Sequence, residues 1–186
     1  MNQYLFKTCD PQQDREAIID LYDAVRDELH LPDRQTVADM VDLLFTHGGV
    51  TGGYFQHRLV GAVGYFFGDP ARQFDDKRIL FLYVGAILPH FRGTRLFRSG
   101  LMFTLHGMRH RADEIRLQAE ASNRFTNTLY GRFAQPLGRD KSLRGKDVIT
   151  YGTRIEDALA KLTRKPSAPK ACFNPTPHHQ VPVVLR

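Results

Sequence analysis

Several residue types and patterns are scarce in or missing from this chain of 186 residues, and each absence excludes a class of protein. The chain has no tryptophan and only two cysteines, Cys9 and Cys172, so neither a disulfide framework nor a metal-ligand spacing is present. A disulfide between these two cysteines is an alternative, although two free thiols are favoured. No run of about eighteen apolar residues occurs, which excludes a membrane-spanning helix. The N-terminus lacks a basic stretch followed by an apolar core, so we expect no signal peptide and a cytoplasmic location.

The composition changes after Arg164. Residues 165–186 hold five of the ten prolines and no acidic residue, so this segment would not form a packed core by itself. We therefore predict one domain over residues 1–163 and a basic, proline-rich tail over 164–186. Order in the tail would require docking on its own domain or on a second copy, as in a homodimer. The pair His178-His179 lacks Cys or carboxylate partners, so no metal site is predicted.

Acidic residues are unevenly distributed. The net charge is +6, yet residues 10–42 hold ten Asp or Glu against three Arg, which leaves +13 on the remaining residues. Between Phe91 and Ala112 there are five Arg and no carboxylate. A uniformly basic chain would suggest nucleic acid, whereas this division suits an anionic ligand at the basic stretch and a cationic substrate near the acidic one. Solvated helix faces are the alternative explanation of the acidic part.

Hydrophobic periodicity predicts an α/β domain, in the α+β sense of a mixed sheet flanked by helices. The predicted elements are strand 4–8, a helix from 10 that ends at Leu31-Pro32, helix 33–47, strands 50–56, 59–67 and 79–87, helix 95–111, strand 115–120, a helix from 122 to 133, strand 148–155 and helix 156–162. The crossover through helix 95–111 places a parallel pair of strands beside antiparallel N-terminal strands. Gly61 and Gly64 predict a bulge or a close backbone approach, and 68–77 a surface loop that helps to shape the substrate pocket.

Two features of the stretch 78–133 point to chemistry. The loop Phe91-Arg92-Gly93-Thr94 lies where a strand leads into a helix, and the first-turn N–H groups of a helix have no intrahelical partner and attract anions. Leu129-Tyr130 then places a hydroxyl seven residues beyond the helix cap Asn123. Together these features predict a bound phosphate-bearing ligand with a polar group near its reactive end.

The residues of this stretch resemble a known family. The strand end Gly85-Ala-Ile-Leu-Pro89, the loop Phe91-Arg92-Gly93 and the run Ala119-Glu-Ala-Ser-Asn123 followed by Leu129-Tyr130 are similar to those of the GNAT superfamily of N-acyltransferases. These proteins transfer an acyl group from a coenzyme A thioester to an amine. The resemblance spans roughly residues 4–155, with specific motifs only between 85 and 133.

One loop departs from the family pattern. The family's loop is usually Arg-Gly-x-Gly-x-Gly or Ala, and here Arg95 and Phe97 stand where small residues are usual. A small residue lets the backbone approach a pyrophosphate closely. Arg95 could compensate by offering a charged fork to the phosphates, and Phe97 would cost the site nothing if it turned into the core.

The resemblance implies acetyl-CoA or another acyl-CoA as co-substrate, no metal, and a small-molecule or peptide amine as acceptor. The implied donor site consists of main-chain groups along the pantetheine arm, amides around the pyrophosphate and a polar residue at the head of the next helix: Gly85, Ala86 and Ile87; Arg92, Gly93, Thr94, Arg95 and Leu96; and Asn123. Asn123 could equally be a plain N-cap.

The candidate catalytic residues are Tyr130, which the resemblance implies, and Glu120, which lies at the strand end beside the expected cleft. Tyr130 would donate to the leaving thiolate, and a half-buried aromatic is its structural alternative. Glu120 is the first choice of base for the amine, with the carboxylates of the first two helices behind it.

Other function classes remain open on the sequence. A non-catalytic acyl-CoA-binding or partner-binding module would explain the altered loop, and an enzyme could use a longer acyl chain or an acyl-carrier-protein donor. Nucleic acid is disfavoured, because most aromatics fall at core spacing and no platform of exposed aromatics among Lys and Arg is evident.

Overall fold

A computed structural model describes residues 4–142 and 145–163. Its strands are β1 Leu5–Thr8, β2 Gly48–Phe55, β3 Arg58–Phe67, β4 Ile79–Ile87, β5 Glu114–Glu120, β6 Gln135–Lys141 and β7 Asp147–Arg154. Its α-helices are α1 Arg15–Asp23, α2 Arg34–His47, α3 Leu96–Met108, α4 Arg124–Tyr130 and α5 Ile155–Thr163, and single 3₁₀ turns cover Pro70–Arg72 and Pro89–Phe91. The predicted tail, with Cys172 and the His178-His179 pair, lies outside the described residues.

The strands form one mixed sheet with the order β1-β2-β3-β4-β5-β7-β6. Only β4 and β5 pair in parallel, and the other neighbours described are antiparallel. The helices α1 and α2 cover one face of the sheet over one apolar cluster, and α3 and α5 cover the other face over a second cluster. The predicted mixed α/β fold with a central parallel pair is therefore confirmed. Among the described helices none is long and apolar enough to cross a membrane.

The structure differs from the sequence-based assignment at three elements. The helix expected to run from residue 10 to Leu31 is only α1, and turns occupy most of the connection 24–33, which is longer than the short turn predicted. The helix expected to run to residue 133 ends at Tyr130. The strand β6 was not predicted, because every side chain of this edge strand is exposed and its sequence therefore carries no apolar alternation.

The glycines of β3 lie beside two register shifts, as predicted. Between β2 and β3 the pairing moves from Gly53↔Gly61 to Tyr54↔Leu59. Between β3 and β4 it moves from Gly64↔Val84 to Tyr65↔Leu82, so one residue of β4 is left without a partner in β3. A β-bulge of this kind bends its strand and re-aims the side chains that follow it.

A buried hydroxyl in β2 provides a test of the packing between β2 and α3. Thr51 is 2% exposed and its Oγ1 has no hydrogen-bond partner among the described residues. Because an unpaired buried hydroxyl carries a desolvation cost, Thr51→Val is expected to raise the free energy of unfolding by about 1 kcal/mol in urea titrations. Thr51→Ala is the control, since it removes the same hydroxyl but also loses packing volume, and a stability gain from the alanine equal to that from the valine would contradict this explanation.

Candidate active site

The parallel strands β4 and β5 separate halfway along their length. Their pairing ends at Leu82↔Leu117, although both strands continue for several residues. The separation coincides with the bulge in β4, where Tyr83 is the residue left out of the ladder with β3. The two strands therefore bound a cleft that opens toward the carboxyl end of the parallel pair. Had the parallel pairing continued unchanged, Glu120 of β5 would lie opposite Gly85 of β4.

The β4 backbone is accessible along this cleft. Gly85 is exposed although it belongs to a central strand and stands between the buried Val84 and Ala86. The Leu88 N–H donates to Val60 O at 3.0 Å. Because main-chain groups alternate in direction along an antiparallel pair, Ala86 then faces β3, and Gly85 and Ile87 direct their N–H and C=O groups into the cleft.

The loop after β4 ends in a set of unpaired amides at the start of α3. Gly93 adopts φ +72°, a conformation that favours glycine, and no atom of a described residue lies within 4 Å of the position of a Cβ there. The Thr94 hydroxyl donates to Phe91 O at 2.7 Å and accepts from the Leu96 N–H at 3.2 Å. The amides of Gly93, Arg95 and Phe97 have no protein partner in the described part of the chain. This helix start therefore offers several N–H donors to an anion.

The two unusual residues of the loop turn in different directions. The Phe97 side chain packs against the apolar cluster beneath α3, so it does not obstruct the helix start. Arg95 is exposed, and its guanidinium has no ion-pair partner among the residues described. The nearby Arg98 is engaged elsewhere, because its Nε donates to Leu162 O of α5 at 2.7 Å. Arg95 is thus a cation at the helix start that no carboxylate of the described residues engages.

Arg92 points away from the helix start. Its Nε donates to Ile87 O at 2.9 Å, and its Nη2 lies 2.9 Å from the carboxylate of Glu28 in the connection between α1 and α2. The side chain therefore links the loop to the helices on the opposite face of the sheet. Arg92 was predicted for the donor site, but its guanidinium is bound to Ile87 O and Glu28 and does not face the unpaired amides of the helix start.

Glu120 lies at the end of β5 in a small charged cluster. Its Oε1 is 3.0 Å from Nζ of Lys146 and 3.6 Å from Nε2 of His30. Along β5, Ile115 and Ala119 pack into the cluster on the α3 face, and Glu120 alternates with them and faces the α1–α2 side. His30 belongs to the connection between α1 and α2 and has a φ of +54°, which is uncommon for a residue with a side chain.

Tyr130 lies on the other face of the sheet from Glu120. Its ring is half-buried and meets Phe133 and Tyr151 edge-on, with centroids 6.0 and 5.9 Å apart. Burial raises the pKa of Tyr130 to about 12, so its hydroxyl stays protonated at neutral pH. The hydroxyl has no hydrogen-bond partner among the described residues, which leaves it available to a ligand.

The polar residues at the start of α4 hold the end of β5 in place. Asn123 caps α4, and its Oδ1 accepts from the Thr126 N–H at 3.0 Å. Asn127 was not predicted. Its Nδ2 donates to the carbonyl oxygens of Glu120 and Asn123 at 2.9 and 2.8 Å, and its Oδ1 accepts from the Tyr151 hydroxyl at 3.0 Å. An Asn inside a short helix is unfavourable by propensity, which is the signal that could have identified it.

Comparison with known proteins identifies the fold. No protein-family model matches the chain, and no curated protein matches it in sequence. Solved structures do match. A proposed GNAT-family acetyltransferase from Desulfovibrio desulfuricans is 17% identical with a TM-score of 0.64, over 82% of this chain and 99% of that one. A ribosomal-protein-alanine N-acetyltransferase from Brucella melitensis is 16% identical with a TM-score of 0.62, over 81% and 99%.

A third match was solved with a ligand. This proposed acetyltransferase from Salmonella typhimurium, in complex with its cofactor acetyl-CoA, is 15% identical with a TM-score of 0.61, over 92% of this chain and 100% of that one. The chain described here therefore has the fold of the GNAT acetyltransferases. At these identities the comparison establishes the fold, and the activity has to be argued from the site.

Proposed function

We propose that this protein is an N-acyltransferase that moves an acyl group, acetyl first among the candidates, from a coenzyme A thioester to the primary amine of a small molecule or peptide. One observation carries the proposal: β4 and β5 part beside an exposed Gly85, and the cleft leads to a helix start with unpaired amides. The cleft suits an extended chain, and the helix start suits a diphosphate. A coenzyme A thioester contains both in this order.

The residues present fit such a donor. The amides of Gly93, Arg95 and Phe97 would receive the diphosphate, and the Arg95 guanidinium would add charge-assisted hydrogen bonds. The main chain of Gly85 and the N–H of Ile87 would hold the pantetheine arm by strand-like hydrogen bonds, whereas Ile87 O already accepts from Arg92 Nε. This places the thioester near the point where the strands part, and an N–H of β4 would then stabilise the negative charge that develops on the carbonyl oxygen.

We assign the proton acceptor to His30, with Glu120 as its positioning residue. An ammonium group is not a nucleophile, so the amine must lose a proton before it attacks the thioester carbonyl. Imidazole is the side chain suited to take that proton near neutral pH. The Glu120 carboxylate lies 3.6 Å from Nε2 of His30, and Lys146 offsets part of its charge. A base oriented by a carboxylate is the arrangement that activates nucleophiles in unrelated enzymes.

Tyr130 would assist the departure of the thiolate from the opposite face of the cleft. A tyrosine hydroxyl is protonated at neutral pH, and burial raises the pKa of Tyr130 further, to about 12. The same burial makes complete transfer of the proton costly, so its role is a hydrogen bond to the developing negative charge on sulfur rather than full proton donation. Holding the amine and the thioester together in the cleft supplies the remaining rate enhancement, which for well-oriented reactants amounts to about 7 kcal/mol or more.

The test is a calorimetric titration with acetyl-CoA followed by an assay of thiol release with a panel of amines. Arg95→Glu is expected to weaken acetyl-CoA binding by about 10- to 100-fold, because it replaces a charged donor to the diphosphate with a repelling carboxylate. Arg72→Glu makes the same charge change in an exposed turn at the other end of the sheet and should have little effect. The absence of binding to folded wild-type protein would overturn the proposal, and binding without turnover on any amine would favour the non-catalytic module.

A further inference from the structure

A second concave site lies at the end of the sheet remote from the cleft. It has a volume of about 460 Å³ and is lined by the C-terminal end of α2, the end of β3, the loop before β4 and the turn after α3, with Thr46, His47, Gly48, Phe67, Lys77 and Arg111. Ligand pockets commonly have volumes of about 300–1,000 Å³. The end of β3 pairs with the beginning of β4, whereas the cleft lies at the end of β4. The loop 68–77, expected to shape the acceptor pocket, therefore lies by this site instead, and that expectation was wrong.

Aromatic rings hold the three basic side chains of this site in place. The Arg111 guanidinium lies 4.1 Å from the centroid of the Phe67 ring. The His47 imidazole stacks on Phe74 at 4.2 Å and 9°, and Lys77 Nζ lies 5.1 Å from the centroid of the same ring. Lys77 Nζ also donates to Phe67 O at 3.3 Å. Side chains held in this way lose less conformational entropy when a ligand binds.

The positive charge of this site is not paired with a carboxylate of the described residues. Within the part of the chain that the structure describes, no carboxylate lies within 4.0 Å of a side-chain nitrogen of His47, Lys77 or Arg111. The acidic groups close to them in sequence are engaged elsewhere. Asp76 accepts the Arg78 N–H at 2.9 Å, and Asp113 forms an ion pair with the Arg78 guanidinium at 2.5 Å. Like charges that line a concave surface focus a positive potential and attract an anion.

We propose that this pocket binds a small phosphate-bearing anion, with Arg111 and Lys77 as its principal ligands and His47 as the third. A planar guanidinium fork and a mobile ammonium together match the oxygens of a phosphate group. The aromatic ring faces are already in contact with the cations, so the pocket offers charge rather than a stacking surface for a nucleobase. It is a second anion site, separate from the helix start at Arg95, and does not depend on the acyltransferase proposal.

The experiment is a titration with inorganic phosphate at constant ionic strength, followed by amide chemical shifts. It is run in the wild type and in Arg95→Glu. The variant weakens the anion site at the helix start and leaves the pocket unchanged, so binding that it retains belongs to the pocket. We expect saturable binding with a dissociation constant on the order of 1 mM in both proteins, with shifts around residues 46–48 and 77. Arg111→Gln and Lys77→Met should each weaken it at least tenfold.

The matched control is Arg109→Gln, which removes one exposed positive charge two residues from Arg111 but outside the pocket lining. It should leave phosphate binding unchanged. Equal weakening by Arg109→Gln, or a linear response to phosphate without saturation, would show only a general charge effect and would overturn the proposal. If Arg111→Gln proves unstable because the stacking on Phe67 is lost, Lys77→Met decides the outcome, since methionine keeps the apolar stem of the lysine.

Discussion

His30→Asn is expected to lower kcat by about 10²- to 10⁴-fold and to leave the dissociation constant of acetyl-CoA unchanged. Asparagine tolerates the left-handed backbone that His30 adopts at φ +54° and keeps a polar planar side chain, but it cannot accept a proton. Removal of the base should therefore affect the chemical step alone. The measurements are steady-state kinetics on an amine that the wild type acetylates and calorimetry with acetyl-CoA.

His57 provides the matched control. It is an exposed histidine with φ +64° in the two-residue turn between β2 and β3, so His57→Asn repeats the chemical and backbone change outside the cleft. The wild type and His57→Asn should turn over the amine at the same rate, whereas His30→Asn should show the loss of kcat. A His30→Asn enzyme with the wild-type kcat would remove His30 from the mechanism.

The local signals in the sequence predicted most of the elements but not the contacts that join distant ones. Apolar periodicity placed α2, β3, β4 and α3, because their buried faces repeat regularly along the chain. It extended α1 too far, since Val25 and Leu29 continue the apolar stripe through turns that are not an α-helix. His30 follows those turns, so its approach to Glu120 could not be anticipated from spacing alone.

The donor side of the site was more accessible to sequence reasoning than the catalytic side. Gly93, Arg95 and the start of α3 are neighbours in sequence, so the helix start that they form can be predicted from the local sequence. The cluster around Glu120 draws on His30 and Lys146, which come from connections far apart in the chain. Likewise, the bulge beside the cleft depends on the pairing of β3 with β4. The residues around Tyr83 do not indicate a bulge in the sequence.

Gly85→Leu is expected to weaken acetyl-CoA binding by at least about 100-fold without destabilising the fold. Among the described residues, the only atom within 4 Å of a Cβ at this position is Ala62 O at 4.0 Å, so the backbone has room for a Cβ here. Val84 and Ala86 pack under α1 and α2, and by alternation a side chain at 85 would project on the α3 face, into the entrance of the cleft. Because glycine weakens a strand by roughly 0.5–1 kcal/mol, the variant should be at least as stable as the wild type.

The control for this prediction is Gly138→Leu in the edge strand β6. No atom of a described residue lies within 4 Å of an added Cβ there, and β7 and β5 separate the strand from the cleft. Both variants gain an exposed leucine in a strand, and only Gly85→Leu should show weaker acetyl-CoA binding in calorimetry. Urea titration of the same samples separates loss of binding from loss of folding. If Gly85→Leu binds acetyl-CoA as the wild type does, the donor does not pass between β4 and β5, and the proposed path of the pantetheine arm is wrong even where the helix start binds phosphate.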